Sequence, residues 1–179
     1  MSAARKSGRA PEQSEELDYD HALYPISGNP PTWGHADVME RAARVFDKVT
    51  WALAVNPKKR YDTPQAVRLE MMRDYVRYLK LGNVTVEAYE GATARYAERI
   101  GAGVIVKGLR NVMDLQAEME QAFGNRGINE QIETLVLFTQ PRLGAISSSL
   151  IRELAVLGED IDDYVLPEVV RRLREHLPK

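Results

Sequence analysis

From Ala22 onward the apolar residues of this chain keep changing period, from short, nearly continuous runs to longer stretches repeating every three to four residues. No other feature narrows the fold as much, because an unbroken or alternating run marks a strand and a 3.6-residue period marks an amphipathic helix. The short runs predict strands at Ala22–Ile26, Val49–Val55, Val84–Ala88, Val104–Val106 and Thr134–Phe138. The longer ones predict helices at Ala36–Phe46, Pro64–Leu79, Ala92–Ile100, Met113–Phe123, Ser148–Leu157 and Glu168–Leu177. In the second helix Thr63 reads as the N-cap, with Pro64 in the favoured first helical position. Strands that are apolar throughout are those of a parallel sheet covered on both faces, and right-handed crossovers wind such a sheet doubly. The expected fold is α/β: a doubly wound five-stranded parallel sheet with C-terminal helices. Ligands of such sheets bind at the carboxyl ends of the strands, where strand order reverses.

Residues 1–20 stand apart. They hold one large aliphatic residue, Leu17, and run from a basic start (Arg5, Lys6, Arg9) to an acidic end (Glu15, Glu16, Asp18, Asp20). They read as a disordered tail or expression remnant, leaving residues 21–179 as one domain. The chain has no cysteine, which removes disulfides, thiolate metal sites and cysteine nucleophiles and is compatible with a reducing cytosol. With 24 basic and 26 acidic residues, a net charge of −2, it lacks the global positive field that holds nucleic acid by its phosphates. No apolar run approaches the roughly 20 residues that cross a bilayer, and the N-terminus lacks the apolar core of a secretory signal. A cytoplasmic protein without nucleic-acid or membrane partners is expected.

Four short segments fall on the edge where a ligand would bind. The first strand runs into YPISGNPPTWGH, residues 24–35, whose Gly and Pro residues make a turn, with Ser27 offering a hydroxyl and His35 near the start of a helix. A helix start favours anions, so this outlines a phosphate site. It reads equally as a strand-to-helix loop with a capping histidine, and it lacks both the Walker lysine and the GxGxxG pattern. Asn56-Pro57-Lys58-Lys59-Arg60 follows the second strand; three cations there could clamp phosphates or simply be solvated. Lys107-Gly108-Leu109-Arg110 follows the fourth strand, two cations straddling a glycine, or a turn with incidental charges. Ile146-Ser147-Ser148-Ser149 precedes a helical run, where serines cap the helix and their hydroxyls could also hold a triphosphate.

Taken in order, the loop ending in GH, then NPxK, VIVKGLR, the acidic helix DLQAEME with Asn125-Arg126, ISSSLIR and DDYVLPEVV resemble the bacterial phosphopantetheine adenylyltransferases, over about residues 22–177. GH and ISSS are shared across the nucleotidyltransferase superfamily; KGLR, the acidic helix and YVLPEVV point to this member. The resemblance implies a Rossmann-like fold, a homo-hexamer, and transfer of the adenylyl group of ATP to 4′-phosphopantetheine with Mg²⁺, giving pyrophosphate and dephospho-CoA, with coenzyme A as a product-like feedback ligand. No protein metal ligands are assigned.

By the same resemblance Ser27, His35 and Lys59 form the catalytic set, His35 stabilising charge on the transferred phosphate and acting best when protonated. Ser27, Lys59, Thr93, Lys107 and Asn125 would face the pantetheine substrate. ATP would meet Ser27, Gly28, His35, Gly108, Leu109, Arg110, Glu118 and the segment Leu143, Gly144, Ala145, Ile146, Ser147, Ser148, Ser149. The first loop departs from the family's YPGTFDPxTxGH: Ile26 replaces glycine, Ser27 threonine, Gly28 phenylalanine and Asn29 aspartate. A β-branched residue at 26 restricts the backbone where a nucleotide should come close, and Gly28 is expected to restore that freedom through an angle only glycine reaches easily. Lys107 stands where the family has arginine and lacks its planar fork. Two other functions fit the segments less well: a superfamily adenylyltransferase acting on nicotinic acid mononucleotide, and a binding or assembly protein that kept the fold without turnover.

Overall fold

The computed structural model describes residues 16–176. Five strands alternate with helices: β1 (Asp18–Ile26), α1 (Trp33–Ala43), β2 (Lys48–Val55), α2 (Gln65–Leu79), β3 (Val84–Glu90), α3 (Thr93–Arg99), β4 (Ala102–Leu109), α4 (Val112–Ile128) and β5 (Glu133–Phe138). A 3-10 turn at Pro141–Leu143 leads to α5 (Ser148–Val156) and α6 (Pro167–His176). The strands form one parallel sheet in the order β3-β2-β1-β4-β5. This is the doubly wound arrangement, and the order reverses between β1 and β4.

Strand alternation sorts the core into two layers. Ala22, Tyr24 and Ile26 of β1 join Trp51, Leu53, Val104 and Val106 on one face, under α1, α2, α5 and α6. Leu23, Ala52 and Ile105 point to the other face, against Ala94 and Ala97 of α3. Each fully buried large side chain contributes about 1.5–3 kcal/mol. The C-terminal helix is tied down by polar contacts as well. The Leu166 amide donates to the Tyr75 hydroxyl (3.2 Å), and Arg172 Nε donates to Asp74 (2.8 Å).

Several predicted boundaries move. β1 begins at Asp18 rather than Ala22, and Leu17, 8% exposed, packs into the second core layer. Residues 18–20 thus belong to the sheet, and Leu17 to the core, rather than to the tail; residues 1–15 of that expectation lie outside the described residues. Thr63 is not the cap of α2: Pro64 holds that position in an extended conformation, and the Thr63 hydroxyl is buried without a partner. Lys107 and Gly108 lie inside β4, not after it, and α4 runs on to Ile128 past two glycines. Burial on both faces holds for the middle strands only. In β5, at the sheet edge, Leu135, Val136 and Phe138 are exposed.

Candidate active site

A cleft of about 500 Å³ opens at the carboxyl ends of β1 and β4. Its walls combine the end of β1 and its loop (Ser27, Thr32, His35), the β2 loop (Lys59), the end of β4 (Lys107, Gly108, Arg110), one face of α4 (Asp114, Glu118, Gln121) and the start of α5 (Ser147, Ser148, Ser149). Gly108 is needed for close approach, because a Cβ there would stand 2.9 Å from Val38 of α1. The first loop and α5 are bound together: Ser148 Oγ donates to the Pro30 carbonyl (2.8 Å), and the Arg152 guanidinium donates to the Asn29 carbonyl. Ser147 caps α5, its hydroxyl accepting from the Leu150 amide (3.1 Å). The first turn of α5 therefore faces the cleft with free amides and the positive end of its dipole.

His35 is both a capping residue and a wall of the cleft. It closes a capping box with Thr32, whose amide donates to His35 Nδ1 at 3.1 Å. A backbone N–H can only donate, so Nδ1 carries no proton and the neutral ring holds its proton on Nε2. Burial pushes the imidazole down to about 4, and the Arg110 charge adds to the shift. In this structure His35 is therefore a neutral Nε2–H donor, and the protonated form expected beside phosphates would need their charge to offset this burial.

Two of the cations expected to grip phosphate, Lys107 and Arg110, are already engaged. Lys107, nearly buried, stands 2.7 Å from Glu118 and donates to Gln121 Oε1 at 2.9 Å. Arg110 holds Asp114 through Nε and Nη2, both at 3.0 Å, and its Nη1 donates to the Ile146 carbonyl at 3.1 Å. Although burial opposes ionisation, the Arg110 guanidinium and amide keep the Asp114 carboxyl below its usual range. Both carboxylates that line the cleft are therefore paired, and among the described residues no group of three His, Asp or Glu could hold a metal ion.

The family model described as cytidylyltransferase-like matches residues 27–154. Curated phosphopantetheine adenylyltransferases align over most of both chains. That of Caldanaerobacter subterraneus subsp. tengcongensis is 37% identical, covering 88% of this chain and 98% of its own, and one from Synechococcus sp. (strain JA-3-3Ab) is 42% identical with the same coverage. The chain belongs to the phosphopantetheine adenylyltransferase family. A solved structure described as a nicotinate-nucleotide adenylyltransferase from Vibrio parahaemolyticus superposes with a TM-score of 0.67 over 87% of this chain and 91% of that one, at 21% identity. Nicotinic acid mononucleotide adenylyltransferase of Plasmodium falciparum gives 0.64 over 87% and 94%, at 14% identity. These two share the fold.

Of the residues that resemblance to the adenylyltransferase family singles out, Ser27, His35, Lys59, Thr93, Lys107, Gly108, Arg110, Glu118, Ile146, Ser147, Ser148 and Ser149 line the cleft. Gly28, Leu109, Asn125, Leu143, Gly144 and Ala145 do not. Gly28 has the expected positive φ, 54°, but the turn serves the core: a Cβ there would meet Leu53 at 3.0 Å and Ile26 at 3.5 Å. Leu109 ends β4 as a buried core residue, and Asn125 is buried far along α4. Lys107 and Glu118, expected on different substrates, are partners of one another. Reasoning from the sequence missed Tyr24, Thr32, Tyr89, Asp114, Gln121 and Thr139. A signal existed for two of these, since Asp114, Glu118 and Gln121 follow the i, i+4, i+7 spacing of one helix face.

Proposed function

We propose that this chain makes dephospho-CoA in coenzyme A biosynthesis, transferring the adenylyl group of ATP to 4′-phosphopantetheine. A phosphate oxygen of the acceptor bonds to the α-phosphorus of ATP while the bond to the β-phosphate bridging oxygen breaks and pyrophosphate leaves. Such an in-line transfer needs alignment and charge neutralisation rather than a protein nucleophile. The observation that carries this reading is the convergence of the GH loop, the NPxK loop, KGLR, the acidic helix and ISSS on one cleft, at the switch point of the sheet.

In that cleft the first turn of α5, Ser147 to Ser149, would receive the triphosphate. His35 Nε2–H would donate to the α-phosphate oxygen as charge gathers there, with Ser27 beside it. Lys59, Thr93 and Lys107 would face the acceptor, and Arg110 would turn from Asp114 toward ATP. Since Asp114 and Glu118 are paired, a magnesium ion would enter on the phosphate oxygens of ATP rather than in a protein cage. Coenzyme A would act as a feedback ligand of the same cleft, and a homo-hexamer in the cytoplasm, built on the domain that follows the tail, completes the proposal. Pyrophosphate release, followed with ATP, Mg²⁺ and either 4′-phosphopantetheine or nicotinic acid mononucleotide, tests the function. Turnover is expected with the first acceptor alone; turnover with the second alone, or with neither, overturns it.

A further inference from the structure

Arg68 of α2 is a buried cation with no acid to match it. It is 2% exposed, and among the described residues no carboxylate stands within ion-pair distance. Its Nε is buried without a partner. Two contacts hold the guanidinium instead: Nη1 donates to the Ser27 carbonyl at 2.9 Å, and Cζ lies 3.9 Å from the centre of the Tyr61 ring. A buried charge left without a carboxylate is costly, and both groups that share this one belong to loops of the cleft. Ser27 carries the hydroxyl of the first loop. Tyr61 lies two residues beyond Lys59, in the segment between β2 and α2 whose start is held by Asn56: its carbonyl accepts from the Lys59 amide and its Oδ1 from the Lys58 amide, each at 3.0 Å.

We propose that Arg68 is a positioning residue that couples the two loops, hydrogen-bonding the Ser27 peptide and stacking on Tyr61, and so sets where Lys59 stands across the cleft from Ser27. The inference rests on the reading that Lys59 faces the acceptor. Neither Arg68 nor Tyr61 lines the cleft, so both act through the residues they hold. The guanidinium also brings a positive charge to the back of a loop that would receive anions.

Because Arg68→Met removes a buried side chain and can unfold the protein, the decisive variants are at Tyr61, which is only partly buried. Tyr61→Ala is expected to raise the acceptor KM about tenfold, since a small misplacement of a binding group has a large effect. The ATP KM should stay within about twofold, and the melting temperature should fall only modestly, because the guanidinium keeps its bond to the Ser27 carbonyl. Tyr61→Phe keeps the ring and should keep the acceptor KM. In a Lys59→Ala background, Tyr61→Ala should add nothing, because the two changes act through one group. Multiplicative effects, or a phenylalanine variant as poor as alanine, overturn the proposal. If Lys59→Ala alone leaves the acceptor KM unchanged, the assignment of Lys59 fails, and amide hydrogen exchange reads the link by itself. Faster exchange of residues 56–63 in Tyr61→Ala supports the coupling, and unchanged exchange refutes it.

Discussion

At the scale of single residues His35 concentrates the chemistry. The neutral Nε2–H donor follows from one backbone hydrogen bond and from burial. Its loss in His35→Ala should lower kcat by a factor on the order of 10²–10³, the range found when one preorganised donor to a developing oxyanion is removed. Steady-state kinetics measure this; circular dichroism should show an intact fold, with a modest drop in melting temperature from the lost capping box. The same residue sets a pH dependence. An unfolded histidine titrates near 6.5 and folded His35 near 4, so the folded state disfavours the proton. The stability this represents is fully present above pH 6.5 and is lost as pH falls toward 4, up to about 3 kcal/mol. His21, whose Nε2 lies 2.8 Å from the Thr50 hydroxyl and which burial also pushes down, adds in the same direction. Melting curves from pH 7 to 4 should fall more steeply for wild type than for His35→Gln.

At the scale of elements, the Lys107–Glu118 pair joins β4 to α4. Breaking it from either side leaves a charge in a poorly solvated site, at a cost of about 3 kcal/mol. Lys107→Met and Glu118→Leu should each lower the melting temperature, while the double variant recovers most of the loss. The acceptor KM should stay raised wherever Lys107 is absent, which separates its part in binding from its part in stability. The start of β1 makes a second case. The Asp18 amide donates to the Gly101 carbonyl at 2.9 Å, and the Tyr19 hydroxyl donates to the Gln131 carbonyl at 2.8 Å. Deleting residues 2–20 removes these bonds and the Leu17 side chain, which by itself is worth about 2–3 kcal/mol, or roughly 4–12 °C in melting temperature. Comparison with deletion of residues 2–15 isolates the share of the strand. The tail boundary was misplaced in the sequence because one leucine among charges has no visible period; only its packing into the second core layer explains why it is buried.

At the scale of the molecule, α4 and the edge strand β5 both leave large apolar residues exposed. Val112, Met113, Met119 and Phe123 of α4 face outward, Phe123 at 68% exposure, and Phe138 at the end of edge strand β5 is 74% exposed. Exposed apolar residues of this kind are what an interaction face would use. The proposed hexamer would cover them. Light scattering should give the mass of a hexamer for wild type and of a smaller species for Phe123→Asp; a monomeric wild type sinks the assembly. β5 misled the prediction of two-sided burial because TLVLF is as apolar as a central strand although it lies at the sheet edge.

Local patterning along the chain was enough to read which strands and helices form, their succession, and the edge of the sheet where the basic and serine-rich loops would meet. Each of these is written in a local period or in a strand-to-loop transition, and the alternation of strand and helix leaves few topologies. Charge states and partnerships were decided by the tertiary structure alone. His35 loses its proton because of what packs around it, Lys107 meets a glutamate from the next helix, and Arg68 reaches a carbonyl 41 residues away. Ionisation depends on desolvation and on neighbours within a few ångströms, and for these groups the neighbours come from segments that only folding brings together.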